Sequence, residues 1–176
     1  MRAVIRPSKA NRFRGDPMGD VERLRVELRL PNAPLVRDGL ATVDEFFTKW
    51  LHLNPHGWLA YLRGIDFHKS VSIEWLMPGM RLIRYDKTDG HKTKPFAYFT
   101  RPGTSQQSLG TNFDSVVFRQ YEVRHPTRAL LSTASDISFG LDVERQVFDA
   151  VVRPGGGVQY IVPSAQMPML VRTGER

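Results

Sequence analysis

The spacing of apolar positions changes twice along this chain of 176 residues. Between Val21 and Leu30 apolar residues alternate with arginine and glutamate. That period of two puts alternate side chains on one face, so the segment reads as a half-buried strand with a charged outer face. From Thr42 the spacing turns helical, with Val43, Phe46, Phe47, Trp50, Leu51 and Leu53 recurring at three and four. Thr42 and Glu45 have the spacing of a capping box, which starts the helix there. Asn32 to Gly39, rich in proline with Pro31 and Pro34, reads as a connector. Pro55 and Gly57 interrupt the helix, and Trp58 to Leu62 form a second short one before Gly64. Met1 to Gly19 reads as loop or arm.

Past Lys69 the pattern becomes that of strands: Val71–Leu76, Met80–Tyr85, Phe96–Thr100, Val116–Val123, Ala129–Thr133, Val158–Val162 and Met169–Val171. Pro78-Gly79 and Arg101-Pro102-Gly103 punctuate them as turns. Asp142 to Val152 has mixed periodicity and fits helix or strand. The sum is an α+β fold in which N-terminal helices pack on a small, largely antiparallel β-sheet core. Residues 1–70 supply the arm, strand and helical region and residues 71–176 the β-rich core, within one compact domain.

Composition narrows the chemistry. With 41% hydrophobic and 24% charged residues the chain belongs with folded globular proteins and not with disordered ones. There is no cysteine, which excludes disulfides, thiol nucleophiles and cysteine-ligated metals. No window approaches the ~18 uninterrupted apolar residues of a membrane span. Met1 to Arg29 holds eight basic and four acidic residues and no apolar core of a leader, so no secretory signal is expected. Net charge is +7. Basicity on that scale suits nucleic acid, an anionic small molecule or an acidic protein. Without a run of Lys/Arg or a recognisable nucleic-acid module, nucleic acid is the less expected partner.

Dinucleotide, Walker, H-E-x-x-H and G-x-S-x-G motifs are absent. His52 and His56 have a metal-ligand spacing, but Pro55 lies between them without an accompanying carboxylate, and no metal is expected. Four segments carry candidate chemistry. Arg84, in Leu82-Ile83-Arg84-Tyr85-Asp86, stands at a strand end where a guanidinium grips phosphate; it also fits an outward-facing strand position. In Tyr98-Phe99-Thr100-Arg101-Pro102-Gly103-Thr104, aromatic faces lead into a turn of hydroxyls and a further arginine. Core packing accounts for at least one of Tyr98 and Phe99. Ser132 and Thr133 follow an apolar strand, where such pairs commonly cap a turn. Finally, Pro154-Gly155-Gly156-Gly157-Val158-Gln159-Tyr160 places an amide directly after a bend that only glycine makes freely. Its simplest reading is a Gly-rich turn opening an edge strand, with Gln159 exposed.

Taken in order, these segments resemble the tuberculosis necrotizing toxin family and related NAD-degrading effectors of bacterial antagonism. The resemblance spans roughly Pro78 to Val162, and Pro-Gly-Gly-Gly-x-Gln-Tyr is its most specific part. Arg84 is followed by Tyr-Asp where the family commonly has Phe-Gly, and Ser135 to Arg153 is longer than the family's connection. The resemblance implies an ADP-ribosyltransferase-like core that cleaves NAD to nicotinamide and ADP-ribose. NAD or NADP is then the substrate, with no separate cofactor. Arg84 and Gln159 become the catalytic pair; Tyr98, Phe99, Thr100, Arg101, Ser132 and Thr133 become residues that bind the dinucleotide. Glutamine accepts no proton at neutral pH, so its help is positional and dipolar, and water is the expected acceptor. The resemblance further implies delivery by a secretion system, action in the cytoplasm of a target cell, and a cognate immunity protein, expected to be acidic.

Two other functions stay open on the sequence. One is a mono-ADP-ribosyltransferase toxin using the same pocket, in which Glu144 would matter. The other is a non-enzymatic basic module that binds nucleic acid or protein.

Overall fold

Residues 17–27 are helical, where alternation over Val21–Leu30 predicts a strand. The computed structural model describes residues 17–87, 95–109, 116–136, 140–142, 147–149 and 154–175. Helix α1 (Pro17–Glu27) packs on α2 (Pro34–Lys49). Val21, Leu24 and Leu28 recur at three and four and turn to the core, whereas Val26, on which the alternation depends, is 59% exposed. Helix α2 also starts earlier than the capping-box spacing predicts. Pro34 opens it at a position where its missing N–H costs nothing. Thr42 sits inside the helix and its hydroxyl donates to the Asp38 carbonyl, so it caps no end. The expected connector is therefore mostly helix. A 3₁₀ turn at Pro55–Trp58, capped by the Asn54 side chain, leads into the short α3 (Leu59–Leu62).

The strands fall close to their sequence positions: β1 (Ser72–Leu76), β2 (Arg81–Lys87), β3 (Phe96–Phe99), β4 (Val116–Val123), β5 (Thr127–Thr133), β6 (Gly140–Asp142), β7 (Val147–Asp149), β8 (Val158–Pro163) and β9 (Leu170–Glu175). The ambiguous segment from Asp142 supplies the β6–β7 pair at least in part. Of the expected arm, Met1 to Gly19, residues 1–16 lie outside the described residues and 17–19 open α1 instead of a loop; most of the polar loop after β2 also lies outside them.

All described pairings are antiparallel, in sheets of order β1-β5-β8-β3, β2-β4-β9 and β6-β7. The four-stranded sheet is central, and period-two alternation divides its side chains between two apolar layers. One face carries Phe96, Tyr98, Leu130 and Ile161 against Leu24, Leu40, Val43, Phe46 and Phe47 of the helices. The other carries Leu76, Ala97, Phe99, Ala129, Tyr160 and Val162 against Leu82, Val123 and Leu170 of the three-stranded sheet. Each fully buried Phe or Leu in these layers contributes about 1.5–3 kcal/mol relative to exposure. The α+β fold with helices on an antiparallel sheet is thus what the sequence pattern describes, with one predicted strand replaced by a helix.

Candidate functional site

The Gly-rich turn delivers β8 to its place by passing close to two other backbones. Gly155 and Gly156 have φ of 64° and 82°, the left-handed region that glycine enters without strain. A Cβ on Gly155 would lie 2.3 Å from the Ser135 carbonyl oxygen, and one on Gly157 2.8 Å from that of Ser108. In that space the Gly156 N–H donates to the Ala134 carbonyl and the Gly157 N–H to the Ser108 carbonyl, both at 2.8 Å. The glycines are needed for backbone approach within the protein.

Gln159 follows, only 5% exposed and directly opposite Ser132 in the β5–β8 register. Burial corrects the simplest sequence reading, an exposed glutamine on an edge strand; β8 lies between β5 and β3. The amide nitrogen donates to the Gly64 carbonyl at 3.0 Å and to Ser132 Oγ at 3.1 Å. The loop carrying Gly64 is itself tied to the end of β5. Ser135 N–H donates to the Gly64 carbonyl at 3.1 Å, Ser135 Oγ to the Arg63 carbonyl at 2.6 Å, and Asp66 N–H to the Thr133 carbonyl at 2.8 Å. A cleft of about 540 Å³ opens beside this loop, between Leu28, Leu62, Arg63, Asp66, Ser135 and Gly156.

Arg84 stands in the middle of β2, since the strand runs on to Lys87; its expected place at a strand end is corrected accordingly. Its Nε donates to Asp86 Oδ1 at 2.6 Å, and Asp86 Oδ2 accepts from Arg119 Nη1 at 2.7 Å. Arg84 and Arg119 are register partners across β2 and β4. Like charges so placed repel, and the buried Asp86 between them offsets this. The Arg84 guanidinium lies 5.8 Å from the centre of the Phe99 ring.

The aromatic pair divides. Phe99 faces the second sheet, its ring edge-on to Tyr121 at 5.1 Å. Tyr98 points the other way, edge-on to Phe96 at 5.5 Å in a cluster with Phe47, Trp58 and Tyr61. Burial there holds its phenol well above the ordinary tyrosine pKa, with the nearby Tyr61 adding to the effect. Tyr98 is thus half-buried and packs against the helix-side core. Thr100 is fully buried. Its backbone exchanges hydrogen bonds with Ile83, bridging the two sheets, and its hydroxyl donates to the Val158 carbonyl. Arg101 Nε donates to the Tyr160 hydroxyl at 2.8 Å. Tyr85 OH, donating to the Thr104 carbonyl at 2.8 Å, holds the turn that follows. Thr133 lies opposite Val158 and uses its carbonyl to hold Asp66.

The structure therefore gathers the sequence candidates into two groups. Gln159 and Ser132 share the helix-facing side of the central sheet, while Arg84, Phe99 and Arg101 lie on the side facing the second sheet. Both flank the strand ends that Thr100 joins to Ile83 and Val158. Asp86, Arg119 and Gly64 were missed by sequence reasoning. Arg119 has a legible signal, alternation on a strand paired with that of Arg84; the Gly64 carbonyl has none, because backbone acceptors carry no letter. Among the described residues no three His, Asp or Glu side chains gather in a metal-binding arrangement, and no helix is long and apolar enough to cross a membrane.

No family model and no curated protein matches the chain. Among solved structures, it is similar to a chain in the structure of Tse6 in complex with Tsi6, with a TM-score of 0.61. The match covers 81% of this chain and 99% of that chain at 21% sequence identity, a likeness of fold.

Proposed function

We propose that the chain is an NAD(P)⁺ glycohydrolase toxin domain, which depletes its target cell of NAD by releasing nicotinamide and ADP-ribose. One observation carries this reading. The arginine strand, the aromatic-Thr-Arg turn and the glycine turn into Gln159, separate in sequence, meet where one end of the central sheet touches the middle of β2, through the Ile83–Thr100 bridge and the Thr100–Val158 hydrogen bond. These are the segments that carry the sequence resemblance, and they sit in a fold shared with a protein solved in complex with a partner chain.

The chemistry asked of the site is modest. As the bond from the ribose anomeric carbon to the pyridinium nitrogen breaks, its electron pair neutralises the leaving nicotinamide. Water adds to the oxocarbenium-like carbon and gives up a proton to solvent. The protein has to hold the pyrophosphate and orient the ribose. Arg84 has its Nε committed to Asp86, so its Nη edge grips phosphate, with Arg101 as a second cation. Phe99 offers an aromatic face beside Arg84, Ser132 and Thr133 offer polar groups at the end of β5, and Gln159 orients the ribose. On this reading the domain is delivered by a secretion system, acts in the target cytoplasm and is held inactive in its producer by an acidic immunity protein.

The test is incubation of the protein with NAD and with NADP, following free nicotinamide and ADP-ribose. Turnover by the wild type is expected to fall about 10- to 100-fold in a folded Arg84→Ala variant, the loss of a charge-assisted phosphate contact. A folded wild type that releases no nicotinamide overturns the proposal. Release of nicotinamide with ADP-ribose attached to a macromolecule makes the domain a transferase.

A further inference from the structure

Both hydrogens of the Gln159 amide nitrogen have partners: the Gly64 carbonyl at 3.0 Å and Ser132 Oγ at 3.1 Å. A carbonyl only accepts, so the amide must turn its NH₂ towards Gly64 and cannot flip. Ser132 is almost fully buried, and the Gly64 loop is fastened to β5 by Ser135, Asp66 and the Ile65–Ala134 bridge. Neither partner is free to swing away. What remains of the side chain is its oxygen. Among the described residues that oxygen accepts no hydrogen bond, and the residue keeps 5% of its surface exposed.

We infer that the Gly64 carbonyl and Ser132 are positioning groups. They lock Gln159 so that its amide oxygen alone meets the ligand, as an acceptor for a hydroxyl or amide N–H, and they require an amide at this position. The inference rests on the proposed NAD-cleaving function, where the donor is a hydroxyl of the nicotinamide ribose. A carboxylate has nothing to donate to Gly64 and would place two acceptors face to face at a buried site. In its protonated form the same carboxyl would mimic the amide, with O–H to Gly64 and C=O to the ligand. Among the described residues, the charged side chains on the elements packed around it are Arg63 and Asp66 on the loop, Arg128 on β5, Asp136 beyond β5 and Arg101 beyond β3, with the Tyr98 phenol on β3.

Gln159→Glu decides the matter, with Ser132→Ala beside it. For both and the wild type, kcat and KM for NAD are measured from pH 5 to 8.5, together with melting temperatures on the same samples. The Glu variant is expected to keep activity at the acid end and to lose it as pH rises through a carboxyl pKa raised above the ordinary ~4.3. The sign follows from the raised value: stability is intact below the unfolded-state pKa and falls as pH climbs through the folded-state one. Its melting temperature therefore drops below that of the wild type most at pH 8. Ser132→Ala is expected to lower kcat about 2- to 10-fold, the worth of one hydrogen bond, with the pH profile of the wild type. Wild-type-like turnover of Gln159→Glu at pH 8, or a melting difference independent of pH, overturns the inference. So does a Ser132→Ala variant with unchanged kcat, which decides the question if Gln159→Glu does not fold. If the wild type itself releases no nicotinamide, the proposed function fails, and the melting arm still judges the locked amide.

Discussion

Gly155 and Gly103 both have positive φ, at 64° and 88°, yet they answer to different constraints. Around Gly103 there is open space, so a methyl group meets only the strain of the left-handed backbone, about 1–2 kcal/mol. At Gly155 the same methyl group would also penetrate the Ser135 carbonyl at 2.3 Å and push the glycine turn off β5. Thermal melts should therefore show Gly155→Ala losing at least twice as much stability as Gly103→Ala; equal losses would mean the turn yields easily. Gln159 shows how far single residues could be read. Its place as a candidate was legible from the glycines before it and the tyrosine after it. Its burial and orientation were not, since they depend on a serine 27 positions away and a carbonyl 95 positions away.

Elements were legible where one periodicity stood unopposed. The strands β3, β4 and β8 fall close to their predicted bounds because their apolar runs and turn signals agree. Val21–Leu30 failed because two periods share the same letters: Leu24, Val26, Leu28 and Leu30 alternate, whereas Val21, Leu24 and Leu28 are helical. Packing against α2 decides between them, and that information lies outside the segment. The two periods make opposite forecasts for Val26. As a strand residue it would share the buried face of Leu24; in α1 it points to solvent. Leu24→Ala should cost about 2–5 kcal/mol and Val26→Ser less than about 0.5 kcal/mol in denaturant titrations. Comparable losses at both sites would restore the strand. Pro34 carried a second misread signal: proline at the first helical position starts a helix as readily as proline elsewhere ends one.

At the scale of the molecule, the sequence showed that helices cover a sheet but not that the sheet is covered twice. Which face of β8 receives Gln159 and which receives Tyr160 follows from alternation alone. What lies over each face depends on how β2, β4 and β9 come together, and their order joins residues far apart in the chain. The division of the candidate site into an arginine side and a glutamine side is a product of that arrangement.

The double covering also sorts the chromophores. Trp50 and Trp58 pack on the helix-facing layer, and Trp75 lies on the same side, 49% exposed, with the Arg128 guanidinium 3.9 Å from its ring centre. These are the three tryptophans of the chain, and the layer between the sheets holds none of them. Tryptophan emission during unfolding therefore times the parting of helices from sheet, while far-ultraviolet dichroism weighs the whole backbone. Because β3, β5 and β8 form a wall common to both layers, the two signals should change at one midpoint. An emission midpoint several degrees above that of dichroism would reveal the second sheet peeling away first, with the arginine side leaving before the glutamine side.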